Sequence, residues 1–323
     1  MGFIIESMNK RQIFFLFIII IICLSACRGN QETIDDSGPD LTTEPTDLPS
    51  DTPEPTLTFT PAPTFTPTVT PIVILDPEPL EVNFITEDGV EIEGLYYPAA
   101  ENPAPLIVLV HWARGDMTEW EQIAFWLQDR GLLVRSPDYN NSWKSSDWFP
   151  TYESGEPLGV LVFTMRDCQD GCQTYSPAGW LLDIEAVMLK AAQLQGVDKD
   201  RIITAGASIG ADGALYGCAW MNQVGFGSCK GSFSLSPASL LTLPYDELAN
   251  QLIGAEPPLP VYCLFGLRDD ASVETCSDIA GLIPVDYGYI ENHGFELIQP
   301  GQSTDPLVLL NEFINISLTG VGE

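Results

Sequence analysis

Residues 80–323 are predicted to fold as an α/β domain with a mainly parallel central sheet and helices on both of its faces. Residues 106–110 form a continuous apolar run, as expected for a strand that is buried on both faces. In residues 178–195 the apolar positions recur at helical spacing instead. Segments of these two kinds alternate along the chain, and this order is typical of a parallel sheet with helices packed on both sides.

The predicted elements follow from the amino end of this domain onward. Two alternating segments, 81–86 and 90–97, meet at Glu87-Asp88-Gly89, and an Asp-Gly between alternating runs is a hairpin signal. The further predicted strands are 106–110, 132–138, 201–205, 231–236, 261–265 and 285–290. The predicted helices are 117–130, 178–195, 211–221 and 307–314. Between Pro237 and Pro260 there is room for one short helix, so we expect no large cap domain.

The segment 139–177 fits this alternation poorly. It holds an apolar run at 159–163 and a set of aromatic residues, namely Trp143, Trp148, Phe149, Tyr152 and Tyr175. We expect an inserted hairpin that lies over one edge of the sheet. Its aromatic side chains either line a pocket for a small molecule or pack the insertion onto the domain, and both readings stay open.

The amino-terminal segment 1–27 has the organisation of a secretory signal. Lys10 and Arg11 precede an apolar run, 13–24, which is short of the roughly 20 residues that span a bilayer. Met8 fits the start of such a signal better than Met1. The alternative is a retained membrane helix.

The end of this segment, Leu24-Ser25-Ala26-Cys27, resembles the lipobox of bacterial lipoproteins. The resemblance implies cleavage before Cys27 and lipidation of its thiol, so that several acyl chains hold the protein on the outer side of a cell membrane. The alternative is a cysteine that follows the apolar run by chance.

Residues 28–79 are rich in Thr, Pro, Asp and Glu and include Thr58-Phe59-Thr60-Pro61 and Thr64-Phe65-Thr66-Pro67. Because the segment lacks apolar periodicity it cannot bury a core, and we expect a disordered stalk. If it is mostly polyproline-like, the stalk reaches up to roughly 160 Å.

The charge balance excludes one class of partner. The chain has 45 Asp and Glu against 13 Lys and Arg, a formal net charge of −32. Nucleic-acid binding requires basic patches, so we expect no nucleic-acid partner. We expect the protein to be a monomer.

Six of the eight cysteines lie in the predicted domain, and an even number in an exported chain suggests disulfides. Sequence proximity favours the pairs Cys168–Cys172, Cys218–Cys229 and Cys263–Cys276. The alternative for the first pair is a metal knuckle, but no histidine lies near it, so we expect no metal site.

Candidate catalytic residues follow three of the predicted strands. Gly206-Ala207-Ser208-Ile209-Gly210 stands between a strand and a helix, the context of a nucleophile elbow. A serine becomes a nucleophile only when a base removes its proton, and His293 follows the last predicted strand. Asp269, at the end of Gly266-Leu267-Arg268-Asp269, completes the order Ser, Asp, His.

This order of residues resembles the α/β-hydrolase family over residues 81–314, and in particular its dienelactone-hydrolase-like and carboxylesterase-like members without a large cap. The resemblance implies an α/β-hydrolase fold in which Asp269 orients His293. Asp270 is the alternative acid. Taken singly, each residue also has an ordinary structural interpretation: a turn serine, a helix-capping aspartate and a surface histidine.

The family places one oxyanion-hole donor after the nucleophile and the other after the third strand, which implies the backbone N–H groups of Ile209 and Ala113. Trp112, in Val110-His111-Trp112-Ala113, replaces the glycine that is common there and is the alternative donor. We interpret His111 as a structural hydrogen-bonding residue.

The resemblance implies a serine hydrolase that cleaves a small or medium ester without a cofactor, through an acyl-enzyme. Two alternatives stay open. One is a surface binding protein that has the fold but no activity, and the other is an acyltransferase or peptidase that uses the same triad.

Overall fold

The computed structural model describes residues 78–128, 149–152, 157–277, 279, 283–285, 292–298 and 304–320. The predicted signal, Cys27, the stalk up to residue 77, the strand at 132–138 and the aromatic residues Trp143 and Trp148 lie outside these ranges. Among the described residues, no helix has both the length and the apolar character needed to cross a membrane.

The described part of the chain forms one eight-stranded sheet flanked by helices. The strands are β1 (Leu80–Ile85), β2 (Glu91–Tyr97), β3 (Ala104–Val110), β4 (Gly159–Phe163), β5 (Val197–Ala207), β6 (Cys229–Leu235), β7 (Val261–Gly266) and β8 (Ile283–Val285). The helices are α1 (Glu121–Gln128), α2 (Pro177–Ala191), α3 (Ile209–Val224), α4 (Tyr245–Ile253), α5 (Asp270–Cys276) and α6 (Pro306–Thr319), with 3₁₀ turns at Met117–Trp120 and Gly294–Leu297.

The spatial order of the strands is β1-β2-β4-β3-β5-β6-β7-β8. The hairpin strands β1 and β2 are antiparallel to each other, and β2 is antiparallel to β4. All the other neighbouring pairs are parallel. Because parallel strands end at the same edge of a sheet, the segments that follow β3, β4, β5 and β7 are brought together there.

The core lies on both faces of the sheet, and strand β3 explains why. All seven of its residues are buried. Leu106, Val108 and Val110 face one apolar cluster, which includes side chains of α2, α3 and α4, whereas Ile107 and Leu109 face a second cluster, which includes α1 and α6. Because successive side chains of a strand point to opposite faces, β3 contributes apolar side chains to the core on both faces of the sheet. This is why its sequence is a continuous apolar run.

The predicted α/β class with helices on both faces is confirmed, but one strand was misinterpreted. Residues 159–163 were expected to belong to an inserted hairpin over the sheet. They form instead the interior strand β4, fully buried between β2 and β3. The prediction is wrong for this run because a five-residue apolar segment gains most by burying both faces inside the sheet.

Other differences concern the bounds of elements. The predicted helix 117–130 begins with a 3₁₀ turn and continues as α1 to Gln128, where the described range ends. The last predicted strand, 285–290, is described only as far as Val285. Helix α5 and the 3₁₀ turn at Gly294–Leu297 were not predicted. Between Pro237 and Pro260, where one short helix was expected, the structure has α4.

Candidate active site

Ser208 stands at a sharp turn between β5 and α3. Its backbone has φ 55° and ψ −124°, a left-handed conformation that is uncommon for a residue with a side chain. The turn is held by the Ser208 N–H, which donates to the Leu235 carbonyl at 2.7 Å, and by the Ala211 N–H, which donates to the Ser208 carbonyl at 2.8 Å. Strain of this kind persists only where its surroundings enforce it, and it concentrates at functional sites.

The two glycines of the turn are required by close packing. A Cβ on Gly206 would lie 1.9 Å from the Gly210 carbonyl oxygen. A Cβ on Gly210 would lie 2.2 Å from the carbonyl oxygen of His111 and 2.4 Å from that of Val110. Real side chains never approach backbone so closely, so Gly206 is required because the turn closes on itself, and Gly210 is required by the contact between this turn and the end of β3.

The structure brings the three predicted triad residues together. The Nε2 atom of His293 lies 2.6 Å from the Ser208 Oγ. The other ring nitrogen, Nδ1, lies 2.7 Å from Oδ2 of Asp269. In this arrangement the Nδ1–H donates to the carboxylate, which leaves Nε2 as the acceptor for the serine hydroxyl proton. The side chain of His293 is 29% exposed, so the pair remains open to solvent.

Asp269, not its neighbour Asp270, faces the histidine. Asp269 lies at the amino end of α5, just after β7, and Asp270 begins the helix itself. The Ser272 hydroxyl donates to the same Oδ2 atom at 2.7 Å. Burial opposes ionisation of this carboxyl, but the hydrogen bonds from His293 and Ser272 outweigh it and hold the pKa of Asp269 below its ordinary value.

The backbone around His293 is held in place by Glu296. The His293 N–H donates to Oε2 of Glu296 at 3.1 Å, and the Glu296 N–H donates to the His293 carbonyl at 3.1 Å. Gly294, at φ +57°, follows the histidine, and a Cβ there would lie 2.9 Å from the Trp112 ring. The turn that carries the histidine is therefore packed tightly against the segment after β3.

Sequence reasoning missed both Ser272 and Glu296 as supporting residues. A glutamate three residues after the start of a turn is the acidic half of a capping box, so a local signal for Glu296 was present. Ser272 lies three residues after Asp269, but its role depends on which face of α5 turns toward the histidine.

His111 is fully buried at the end of β3 and acts as a bridge. Its Nδ1 lies 2.8 Å from the Trp112 carbonyl oxygen, and the Met165 N–H donates to its Nε2 at 2.9 Å. Burial lowers the pKa of His111 to about 4, so the ring is neutral near pH 7 and Nδ1 carries the proton that it donates. This geometry matches the structural interpretation of His111.

The two predicted oxyanion donors lie on segments that meet at the elbow. Ile209 is the first residue of α3, where a backbone N–H has no acceptor within its own helix. Ala113 follows β3 and Trp112, and the carbonyl groups of Val110 and His111, just before it, lie against Gly210. Trp112 is 9% exposed and packs edge-on against Phe295, with ring centroids 5.7 Å apart.

The described cysteines form the three pairs that sequence proximity favours, Cys168–Cys172, Cys218–Cys229 and Cys263–Cys276. The third pair joins β7 to α5, the two elements that flank Asp269. In the described ranges, no group of three or more His, Cys, Asp or Glu side chains is arranged to hold a metal ion.

The described aromatic residues of 139–177 pack onto the domain. Phe149 and Tyr152 contact the Trp126 ring edge-on, with centroid distances of 5.9 Å and 5.5 Å. Tyr175 packs in the same way on Trp180, at 5.6 Å, although it is 63% exposed.

The chain matches no protein-family model and no curated protein. It does share its architecture with solved structures. It superposes on dienelactone hydrolase from Anabaena variabilis with a TM-score of 0.50 and 12% identity, over 76% of this chain and 99% of that one. For 2,6-dihydroxy-pseudo-oxynicotine hydrolase the TM-score is 0.51 and the identity 14%, over 77% of this chain and 71% of that one.

A third similar structure is DcsB in complex with a substrate analogue, with a TM-score of 0.50 and 13% identity over 75% of this chain and all of that one. At such low sequence identities the similarity shows the fold alone. The chain has an α/β-hydrolase fold.

Proposed function

We propose that the chain is a serine hydrolase that cleaves esters through an acyl-enzyme on Ser208. One observation carries the proposal. The serine hydroxyl, the imidazole and a carboxylate form an unbroken hydrogen-bonded series, with contacts of 2.6 Å and 2.7 Å, at a strained turn between a strand and a helix. This is the geometry by which an activated serine is recognised on any fold.

In the first step, Ser208 Oγ forms a bond to the ester carbonyl carbon while Nε2 of His293 takes the hydroxyl proton. The imidazole becomes an imidazolium, and the Asp269 carboxylate stabilises its charge. Because the pKa of Asp269 is held low, the carboxylate is ionised at neutral pH and available for this role.

The tetrahedral intermediate carries a negative charge on the former carbonyl oxygen. We assign its stabilisation to the backbone N–H groups of Ile209 and Ala113, since one such donor is worth about 3 kcal/mol to the transition state. Collapse of the intermediate breaks the bond to the leaving alcohol, which takes the proton from His293. Water then attacks the acyl-serine by the same sequence, with His293 as its base, and releases the acid.

The comparisons favour hydrolysis over mere binding, since dienelactone hydrolase and 2,6-dihydroxy-pseudo-oxynicotine hydrolase are themselves hydrolases of similar architecture. We propose small or medium esters as substrates. The described residues between Pro237 and Pro260 contain one short helix, so this segment does not form a large cap domain.

The proposal is tested with the purified full-length protein and p-nitrophenyl butyrate. We expect turnover that Ser208→Ala abolishes, together with release of butyrate. Added alcohol separates the alternatives: an acyltransferase would form the butyrate ester of the alcohol in preference to the acid. Folded protein without turnover on a panel of esters would favour a binding protein.

For the location we propose attachment to the outer side of a cell membrane through lipidated Cys27. The proposal rests on the sequence Leu24-Ser25-Ala26-Cys27 after a basic and apolar segment. Cells fed an alkyne-labelled fatty acid should incorporate it into the wild-type chain and not into Cys27→Ala. Equal incorporation into both chains, or none into either, would contradict the anchor.

A further inference from the structure

The segments that follow β3 and β4 run side by side at the edge of the sheet where Ser208 stands. Four hydrogen bonds join them. The Met165 N–H donates to His111 Nε2 at 2.9 Å, and the Met117 N–H donates to the Thr164 hydroxyl at 3.3 Å. Beyond these, the Asp170 N–H donates to Oδ2 of Asp116 at 3.3 Å, and the Cys172 N–H donates to the Ala113 carbonyl at 2.8 Å.

The second of these segments contains a small loop, residues 167–172, which the Cys168–Cys172 disulfide closes. Three of its residues have left-handed backbone: Asp167 at φ 58°, Asp170 at φ 55° and Gly171 at φ 101°. Such conformations are costly for most residues, although aspartate and glycine tolerate them best. A six-residue loop that holds three of them needs a constraint, and the disulfide, with Cys168 fully buried, supplies one.

The loop reaches the residue on which the oxyanion hole depends. A backbone N–H and the carbonyl of the preceding residue belong to one planar trans peptide and point in opposite directions. The Ala113 N–H is therefore aimed by the Trp112 carbonyl, which accepts from His111 at 2.8 Å. The next peptide plane is aimed by the Ala113 carbonyl, which accepts from Cys172. Hydrogen bonds on both sides fix the backbone of Ala113.

Gly171 adds a steric contact to the same point. A Cβ on this glycine would lie 3.4 Å from the carbonyl carbon and oxygen of Arg114 and 3.5 Å from the carbonyl oxygen of Ala113. These are distances of ordinary van der Waals contact, so the backbone of the loop lies beside the carbonyl groups of Ala113 and Arg114.

We propose that the Cys168–Cys172 disulfide loop is a positioning element for catalysis, which holds the Ala113 N–H at the oxyanion. This inference rests on the proposed function. It assigns to one of the three disulfides a role in transition-state binding, distinct from the stabilisation that every disulfide contributes. Loss of this disulfide should lower kcat and leave KM nearly unchanged, because the oxyanion forms only after the substrate is bound.

The test compares two double variants of the full-length protein, Cys168→Ser with Cys172→Ser and, as the control, Cys218→Ser with Cys229→Ser. The control pair joins α3 to the first residue of β6, at the end of that strand away from Ser208. Rates on p-nitrophenyl butyrate are expressed per active serine, counted by a fluorophosphonate, so that unfolded protein does not enter the comparison.

We expect kcat of the first variant to fall about 10- to 100-fold, since a displacement of about 1 Å can cost 10²-fold. Its KM should stay within about twofold, and it should lose affinity for a trifluoromethyl ketone, whose adduct carries an oxyanion, in proportion to kcat. The control should lose thermal stability and keep its kcat. Equal values of kcat in the two variants would overturn the proposal.

A second pair of variants keeps all the cysteines, in case the first variant does not fold. Gly171→Ala strains the backbone of the loop itself, at φ +101°, where the loop lies beside Ala113, whereas Gly225→Ala, at φ +78° with nothing within 4 Å, carries a similar backbone strain away from the site. We expect kcat to fall in Gly171→Ala and not in Gly225→Ala. Equal kcat in these two variants would contradict the positioning role of the loop. A wild-type protein that neither reacts with the phosphonate nor turns over ester would refute the proposed function instead.

Discussion

Two substitutions of His111 separate its two hydrogen bonds. The amide nitrogen of asparagine lies at the position of Nδ1, so His111→Asn can still donate to the Trp112 carbonyl but leaves the Met165 N–H without its acceptor. The amide oxygen of glutamine reaches the position of Nε2, so His111→Gln can accept from Met165 but leaves the Trp112 carbonyl without its donor.

Both variants leave one buried backbone group unpaired, because His111 is fully buried. An unpaired buried group costs about 1–3 kcal/mol, so each variant should lose similar stability. At about 2–4 °C per kcal/mol for a domain of this size, the thermal midpoint falls by about 2–12 °C in both.

The two variants should differ in activity although they lose similar stability. Only His111→Gln releases the peptide that carries the Ala113 N–H. Removal of one oxyanion donor costs about 10²–10³ in kcat, and since the donor is displaced and not removed, we expect a loss of about tenfold or more. His111→Asn should keep most of its kcat. The assay is hydrolysis of p-nitrophenyl butyrate per titrated serine, beside thermal denaturation. If the asparagine variant lost as much kcat as the glutamine variant, the reasoning from peptide orientation would be wrong.

Three further predictions concern charged residues. Arg166→Ala leaves the buried Asp183 carboxylate with only the backbone N–H of residue 166, so unfolding should become easier by about 3 kcal/mol, read from urea denaturation; a loss under about 1 kcal/mol would contradict this. The Arg166 and Thr86 hydrogen bonds hold the pKa of Asp88 well below its ordinary value, so their contribution to stability is present above about pH 4 and is lost as the pH falls further. The thermal midpoint of Asp88→Asn should therefore fall less on acidification than that of the wild type. Equal decreases of the midpoint in the two proteins would contradict this prediction. Asp269→Asn should lower kcat by about 10⁴ with KM retained, since its amide cannot fix the histidine tautomer, and a loss of less than about tenfold would exclude Asp269 as the orienting acid.

Much of the architecture could be predicted because single segments carry it. The run 106–110 has no polar side chain to present to solvent, and it stands where strands and helices alternate along the chain, so it was predicted as a buried strand. The elbow was equally local: its two glycines stand where a Cβ would meet backbone at 1.9 Å and 2.2 Å, and a strand and a helix flank it in the sequence.

Strand β4 could not be placed in this way. Its sequence, Gly-Val-Leu-Val-Phe, has the same apolar character as β3, but the preceding residues interrupt the alternation of strands and helices. Its neighbours, β2 on one side and β3 on the other, are fixed by pairing between distant parts of the chain. A short apolar run does not specify such pairing.

The hydrogen bonds that hold the site in place could not be predicted from the sequence, for a similar reason. The contacts of the 164–172 segment with the 111–117 segment join residues about 50 positions apart, as for Met165 and His111. Polar groups of this kind become partners only after β3 and β4 pair in parallel, and no local pattern marks them.

The central claim is that Ser208 is an activated nucleophile. We would treat the full-length protein with a fluorophosphonate and locate the adduct by mass spectrometry, with Ser208→Ala and His293→Ala beside it. The account predicts one adduct, on Ser208, absent from the first variant and formed far more slowly in the second. Folded wild-type protein that stayed unlabelled, or that carried the adduct on another residue, would contradict it.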